Sequence, residues 1–317
     1  MSRTYIGQII ESVNSVTDRC GPVLLYGENI DTGSRIGGLA RGLKANSAGR
    51  ILNVGNCELT HVGVGLGMML DRGNAVLFMK QLDFLLLGVD QMVDTFNFIR
   101  AFHSVSDLGS FTIFVIVCDQ GYQGPQSSLN NASDLASLAN INVYCLNGAD
   151  DAAHVVNDHF VMPGFRVMCL SQRHFGAPAL DLAVESRASD NSVFKYRSGD
   201  GLTIACYNFS LRDGAALAER LSAAGVESDL FHVNYVPGMD ADLLLESCAR
   251  TGTLVLVDDS KSVAKFGDRL VTEIHARGMD VNVLPLSRRG CDAPGYGVAE
   301  DRFLPDYDAV LAFASRA

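Results

Sequence analysis

RILNVGNCELTHVGVGLGMMLDRGNAVLFM, residues 50–79, is the stretch whose reading decides the fold. RILNVG (50–55) is a short, mostly apolar run ending in glycine, and it reads as a strand. LTHVGVGLGMMLDRG (59–73) spaces its apolar residues as a helix does and is closed by its glycine, after which AVLFM (75–79) returns to strand. Two strands joined through a helix in so short a span form a parallel βαβ unit.

Outward from this unit the rhythm continues. VLLYG (23–27) precedes it as a strand. A long helix over 84–102, strand FTIFVIV (111–117), helix 132–139, strand NVYCL (142–146), helix 150–160 and strand RVMCL (166–170) follow. Because the strands are apolar almost throughout, both faces of the sheet must be covered by helices. Between 171 and 200 the pattern breaks into turn-rich HFGAPA, ESRASDNS and KYRSGDG. It resumes with strand LTIACY (202–207), helix 214–225, strand 229–236, helix 241–251, strand 253–259, a helix near 262–277 and strand 280–286. The expectation is an α/β protein of two three-layer domains, each a mostly parallel sheet flanked by helices. The first domain spans 1–171, a linker 172–200, and a second, smaller domain 201–317.

With 317 residues, 48% of them hydrophobic and 19% charged, the chain can fill two cores. The formal charge of −11, both signs interspersed, offers no basic run to a phosphate backbone and argues against a nucleic-acid partner. No apolar run approaches the roughly 18 residues of a membrane span, and the opening MSRTYIGQIIESVNS lacks the apolar core of a signal peptide, so a cytoplasmic protein is expected. Eight cysteines lie scattered without a CxxC pair, mostly inside strand-like runs, and read as buried thiols rather than disulfides or zinc ligands.

Glu58 sits between a strand end and a helix start, the edge of an open α/β sheet where ligands bind. It reads either as a first-turn acid countering the helix dipole or as a functional carboxylate. Gly63 and Gly67 stand one turn apart with Gly65 between them, stripping the helix surface for close packing against its own sheet or against a partner subunit.

GENI (27–30), Gly37-Gly38, Glu58 with its glycine helix, LDF (82–84) and DQMVDTFN (90–97) follow one another, and the second half adds GLTIACY and TLVLVDDS. In this order and at these spacings they resemble the beta subunits of two-oxoacid dehydrogenase first components, members of the transketolase-like thiamine diphosphate family. The resemblance implies a pyrimidine-binding domain followed by a transketolase C-terminal domain. It also gives Glu58 a role: a carboxylate hydrogen-bonded to the aminopyrimidine ring of thiamine diphosphate, assisting deprotonation of the thiazolium carbon. Phe84 would pack against the pyrimidine face with Leu82 beside it. Asp90 and Gln91 read as helix-start and interface residues. The diphosphate and its Mg2+ would belong to an alpha-type subunit, giving an alpha2beta2 heterotetramer that shares its cofactors. In the dehydrogenase branch a lipoyl acyl-carrier partner takes the fragment.

One segment departs from the family. Where relatives carry histidine after Gly-Pro, DQGYQGPQSSLNN has Gln126, Ser127 and Ser128, which hydrogen-bond but do not titrate near neutrality. A changed substrate or second half-reaction follows, with transketolase-like ketol transfer and 2-oxoacid cleavage both open. His61, Tyr122, Gln123, Gln126 and Ser127 are candidates for the substrate end of the pocket; Tyr122, Gln123 and Gln126 read equally as solvated loop residues, and His61 reads better as an interface or helix-surface residue than as one pointing into the cleft. Gly199-Asp200-Gly201 imitates the start of a magnesium-diphosphate motif, yet Asn208 follows too soon and Asn234 too late, so it reads as a turn and no metal ligand is assigned. A non-catalytic scaffold subunit that kept fold and interface is the alternative, against which an intact Glu58 argues. A Rossmann nucleotide binder is disfavoured because GVGLG lies within a helix and no strand is followed by GxGxxG.

Overall fold

The computed structural model describes residues 4–119, 127–287 and 305–314. Two six-stranded sheets, each flanked by helices, make the α/β architecture expected from the sequence. The first contains β1 (Val23–Glu28), β2 (Arg50–Val54), β3 (Asn74–Met79), β4 (Ser110–Val117), β5 (Asn142–Leu146) and β6 (Gly164–Ser171). Their order is β2-β1-β3-β4-β6-β5 and every pairing is parallel. β4 is buried along its whole length, as an apolar central strand must be.

The second sheet comprises β7 (Ser186–Arg187), β8 (Val193–Arg197), β9 (Leu202–Tyr207), β10 (Ser228–Val233), β11 (Thr253–Asp258) and β12 (Asn282–Ser287), in the order β12-β11-β9-β10-β8-β7. β8 runs antiparallel to β10, and β7 antiparallel to β8. Thus the span 172–200, where the sequence pattern breaks, carries two strands of the second sheet. Their brevity and the charges in VFKYR conceal them: Lys195 and Arg197 sit half-buried on one face while Val193, Phe194 and Tyr196 are buried.

Helices α1 (Tyr5–Arg19), α2 (Glu58–Leu70), α3 (Leu82–Leu85), α4 (Phe96–Phe102), α5 (Ala132–Ala139) and α6 (Ala149–His159) cover the first sheet. α1 is an element the sequence reading lacked; Thr4 caps it through the Gly7 amide, and Ile9 and Val13 are fully buried. The second sheet carries α7 (Leu211–Ala223), α8 (Asp242–Thr251), α9 (Gly267–Ala276) and α10 (Tyr307–Ala314).

The long helix expected over 84–102 is not continuous. α3 passes into a 3-10 turn at Leu86–Gly88, a π-turn spans Gln91–Thr95, and only then does α4 begin. Close approach explains the break: a Cβ on Gly88 would lie 2.6 Å from Val62 Cγ2 and 3.5 Å from the Glu58 carbonyl oxygen. Glycine lets the turn lie directly on the first turns of α2, a contact that a helix dressed with side chains cannot make.

The sheets meet across a polar junction. Val143 and Tyr235 exchange backbone hydrogen bonds of 3.0 Å. Asn208 donates to Asn130 at 2.7 Å and to Asp259 at 2.9 Å, while Asn234 accepts from the Cys145 amide at 2.7 Å. Both asparagines weighed as metal-motif residues therefore serve the join between domains. Gly199 and Gly201 pack against the backbone of Glu227 and Ser228, so the GDG stretch is a turn seated on the start of β10. Cys118, Cys145, Cys169, Cys206 and Cys248 are buried free thiols, Cys20 is half-buried and Cys57 exposed; Cys291 lies outside the described residues.

Candidate active site

Three strand and helix ends converge at the carboxyl edge of the first sheet, as parallel topology requires. Glu28 ends β1, Glu58 opens α2, and Lys80 follows β3 directly. Gly27 makes the convergence tight, since any Cβ there would collide with the Phe78 carbonyl oxygen of β3. The resulting cavity, about 250 Å³, is lined by Glu28, Asn56, Glu58, His61, Lys80 and Phe84 together with Leu77, Phe78 and Met79.

Glu58 is half-buried on this wall, in the first turn of α2, where free backbone amides favour negative charge. His61, one turn on, is 7% exposed and lines the same cavity, so it faces inward rather than over the helix surface. Tyr26 fixes it: the phenol donates to the His61 carbonyl at 2.7 Å, and the two rings meet edge to face at 6.4 Å. Phe84 contributes an aromatic wall with Met79 beside it, whereas the Phe78 ring is buried against Phe114, 5.3 Å between centroids.

The remaining sequence candidates separate. Leu82 is buried in the core and does not line the cavity. Ser127 is not among the lining residues either and donates to the buried Gln81 at 3.2 Å. Tyr122, Gln123 and Gln126 lie outside the described residues.

Besides the apolar Leu77, Phe78 and Met79, the sequence reading missed the polar lining residues Glu28, Lys80 and Asn56, and Asp83 next to the cavity. Glu28 was present in the GENI motif, but only the seat of β1 between β2 and β3 brings it near Glu58 and Lys80. Burial, and then the nearby charge of Glu58, raises its carboxyl above the usual range, while His61 and Lys80 pull it back. Lys80 and Asn56 carried no sequence signal. Asp83, in the middle of LDF, accepts the backbone amides of Ser128 at 3.0 Å and Leu129 at 3.1 Å, so it anchors the segment after Gln126 to the cavity wall.

Among the described residues no cluster of three or more His, Cys, Asp or Glu could hold a metal ion. The cavity suits a flat, neutral heteroaromatic ring. Phe84, Leu77 and Met79 give its wall an apolar part, a carboxylate stands beside them where a ring nitrogen could share a proton, and its two acids would repel a diphosphate.

α2 divides its three central glycines. A Cβ on Gly65 would fall inside the Phe111 ring of β4, one on Gly63 would touch the Gln91 amide at 3.4 Å, and one on Gly67 would meet nothing. Gly65 therefore packs on its own sheet. Leu59 and Val64 of α2, with Leu86 and Leu87 of the adjoining 3-10 turn, remain exposed apolar residues.

Compared with solved structures, the whole chain superposes on a split gene transketolase described as an inactive beta4 tetramer, with a TM-score of 0.74 and 17% identity, covering 100% of this chain and 98% of that one. The chain is transketolase-like in fold. Over 123 residues it is also 24% identical to the pyruvate dehydrogenase E1 component subunit beta of Bacillus subtilis (strain 168). That match spans only 38% of this transketolase-like chain and 38% of the curated relative. No protein-family model matches. The resemblance read from the sequence, to beta subunits of transketolase-like thiamine diphosphate enzymes, is supported by both comparisons.

Proposed function

We propose that this chain is the beta-type subunit of a two-component thiamine diphosphate enzyme, in which Glu58 activates the cofactor. The carrying observation is Glu58 half-buried in the first turn of α2, on the wall of a cavity that it shares with Phe84, His61, Glu28 and Lys80. When bound, thiamine diphosphate supplies the carbon nucleophile that cleaves a 2-oxoacid or ketose beside its carbonyl. This chain's residues do the rest of the work at that end. Phe84 would pack against the aminopyrimidine and exclude water; Glu58 would hold a proton at a ring nitrogen, which requires an acid able to take and return it.

The acidic cavity leaves the diphosphate and Mg2+ to an alpha-type partner, and exposed Leu59, Val64, Leu86 and Leu87 give that partner an apolar surface to cover. An alpha2beta2 heterotetramer follows, located in the cytoplasm. The split gene transketolase, whose beta chains alone form an inactive tetramer, supports the need for a partner. The acceptor of the acyl or ketol fragment is a lipoyl carrier or an aldose, according to branch. Reconstitution with the alpha-type subunit and Glu58→Gln tests the assignment: turnover should fall by roughly two or more orders of magnitude, the ordinary weight of a general acid–base group. Unchanged turnover would leave the chain as a scaffold subunit.

A further inference from the structure

The cavity places two carboxylates, Glu28 and Glu58, on facing elements, an arrangement that opposes simultaneous ionisation. His61 of α2 and Lys80 after β3 complete the titratable groups of its lining. Lys80 is exposed at the rim and makes no hydrogen bond or ion pair among the described residues. Its backbone position is nonetheless fixed. It directly follows Met79, the last residue of β3, whose pairing with β1 sets Glu28 alongside.

An ammonium so placed has two uses. It can receive an anionic group of an incoming molecule, or it can offset the cavity's acids. With two carboxylates against one ammonium the lining is net negative, which turns incoming anions away. We propose that Lys80 is a positioning residue, a counter-charge that together with His61 favours the ionised form of Glu28 beside Glu58 in the cavity they share. The inference deepens the proposed function, because a pair that holds its proton too tightly leaves Glu58 less able to exchange one with the pyrimidine. The ammonium favours ionised Glu28, the other acid of the lining that Glu58 shares.

The test follows the glutamate side-chain carboxyl signals by NMR in the full chain labelled with 13C-glutamate, the Glu28 signal being assigned by its loss in Glu28→Gln. In Lys80→Met and Lys80→Gln the Glu28 midpoint should move to higher pH by roughly half a unit, an exposed cation's screened effect, whereas Lys80→Arg should titrate as the unmodified chain does. In the reconstituted enzyme the acid limb of kcat should move the same way in the two neutral variants and not in Lys80→Arg. A Glu28 midpoint unmoved in both neutral variants overturns the proposal, as does one displaced equally in Lys80→Arg. Since the titration needs neither partner nor cofactor, its failure is distinct from that of the cofactor assignment, which rests on Glu58→Gln.

Discussion

Alanine at Gly65 and at Gly67 separates what α2 owes to its own sheet from what it offers to a partner. Each substitution stabilises an isolated helix by about 1 kcal/mol, because glycine is the more flexible residue when unfolded. At position 67 nothing lies within 4 Å of the new methyl, so the gain should survive in the folded chain. At position 65 the methyl invades the Phe111 ring, itself stacked on Phe165 at 5.0 Å and unable to swing aside without disturbing that pair. Overpacking of this kind costs about 1–3 kcal/mol, enough to cancel the helix gain and leave a net loss of up to about 2 kcal/mol. Thermal unfolding of the separate chain should place Gly67→Ala at or above the parent. Gly65→Ala should fall below it by a few degrees, given roughly 2–4 °C per kcal/mol in domains of this size. Co-purification with the alpha-type subunit should then reverse the ranking of Gly67→Ala, because an open glycine on an exposed helix face is where a second backbone can approach. A Gly65→Ala chain as stable as the parent would refute the assignment of Gly65 to sheet packing. A Gly67→Ala chain that assembles normally would refute the interface role of that face.

Other consequences are as direct. Asp83→Ala removes the acceptor of the Ser128 and Leu129 amides, and their hydrogen exchange should accelerate about tenfold or more, a bond to a charged group being worth about 1.5–3 kcal/mol; unchanged exchange would show that another contact holds the segment. Asn208 combines a left-handed φ of 60° with bonds to Asn130 and Asp259, so denaturant unfolding should find Asn208→Gly destabilised by about 1–3 kcal/mol and Asn208→Ala by about 1–2 kcal/mol more; equal losses would remove the backbone argument. His232 is fully buried, stacked on Phe194, and burial pushes it down to about 3. Its unfolded form takes up a proton near pH 6.5 and its folded form does not, so its contribution is complete above that pH and is lost as pH falls toward 3. Asp119 and Asp213, raised to about 6 by burial, work in the opposite direction, their contribution fading as pH rises from about 4 through 6. The stability difference between the parent and His232→Gln isolates the histidine: it should shift against the parent as pH drops from 6.5 to 4, and a pH-independent difference would count against a buried neutral ring.

What the sequence determined by itself was the alternation of short apolar strands with amphipathic helices, because burial on both faces of a parallel sheet imposes that pattern residue by residue. α5 (Ala132–Ala139) and β5 (Asn142–Leu146) fall where their periodicity places them, and Glu58 was legible from its seat between a strand end and a helix start. Other features were hidden because their causes are distant in sequence. β8 is held by pairing with β10 rather than by its own apolar content, and the helix over 84–102 breaks because Gly88 meets Val62 of α2. Glu28 and Lys80 stand beside Glu58 only because β1 lies between β2 and β3 in the sheet. Local sequence sets which elements form and where their ends lie. Which ends share one cavity is decided by strand order, which no single segment encodes.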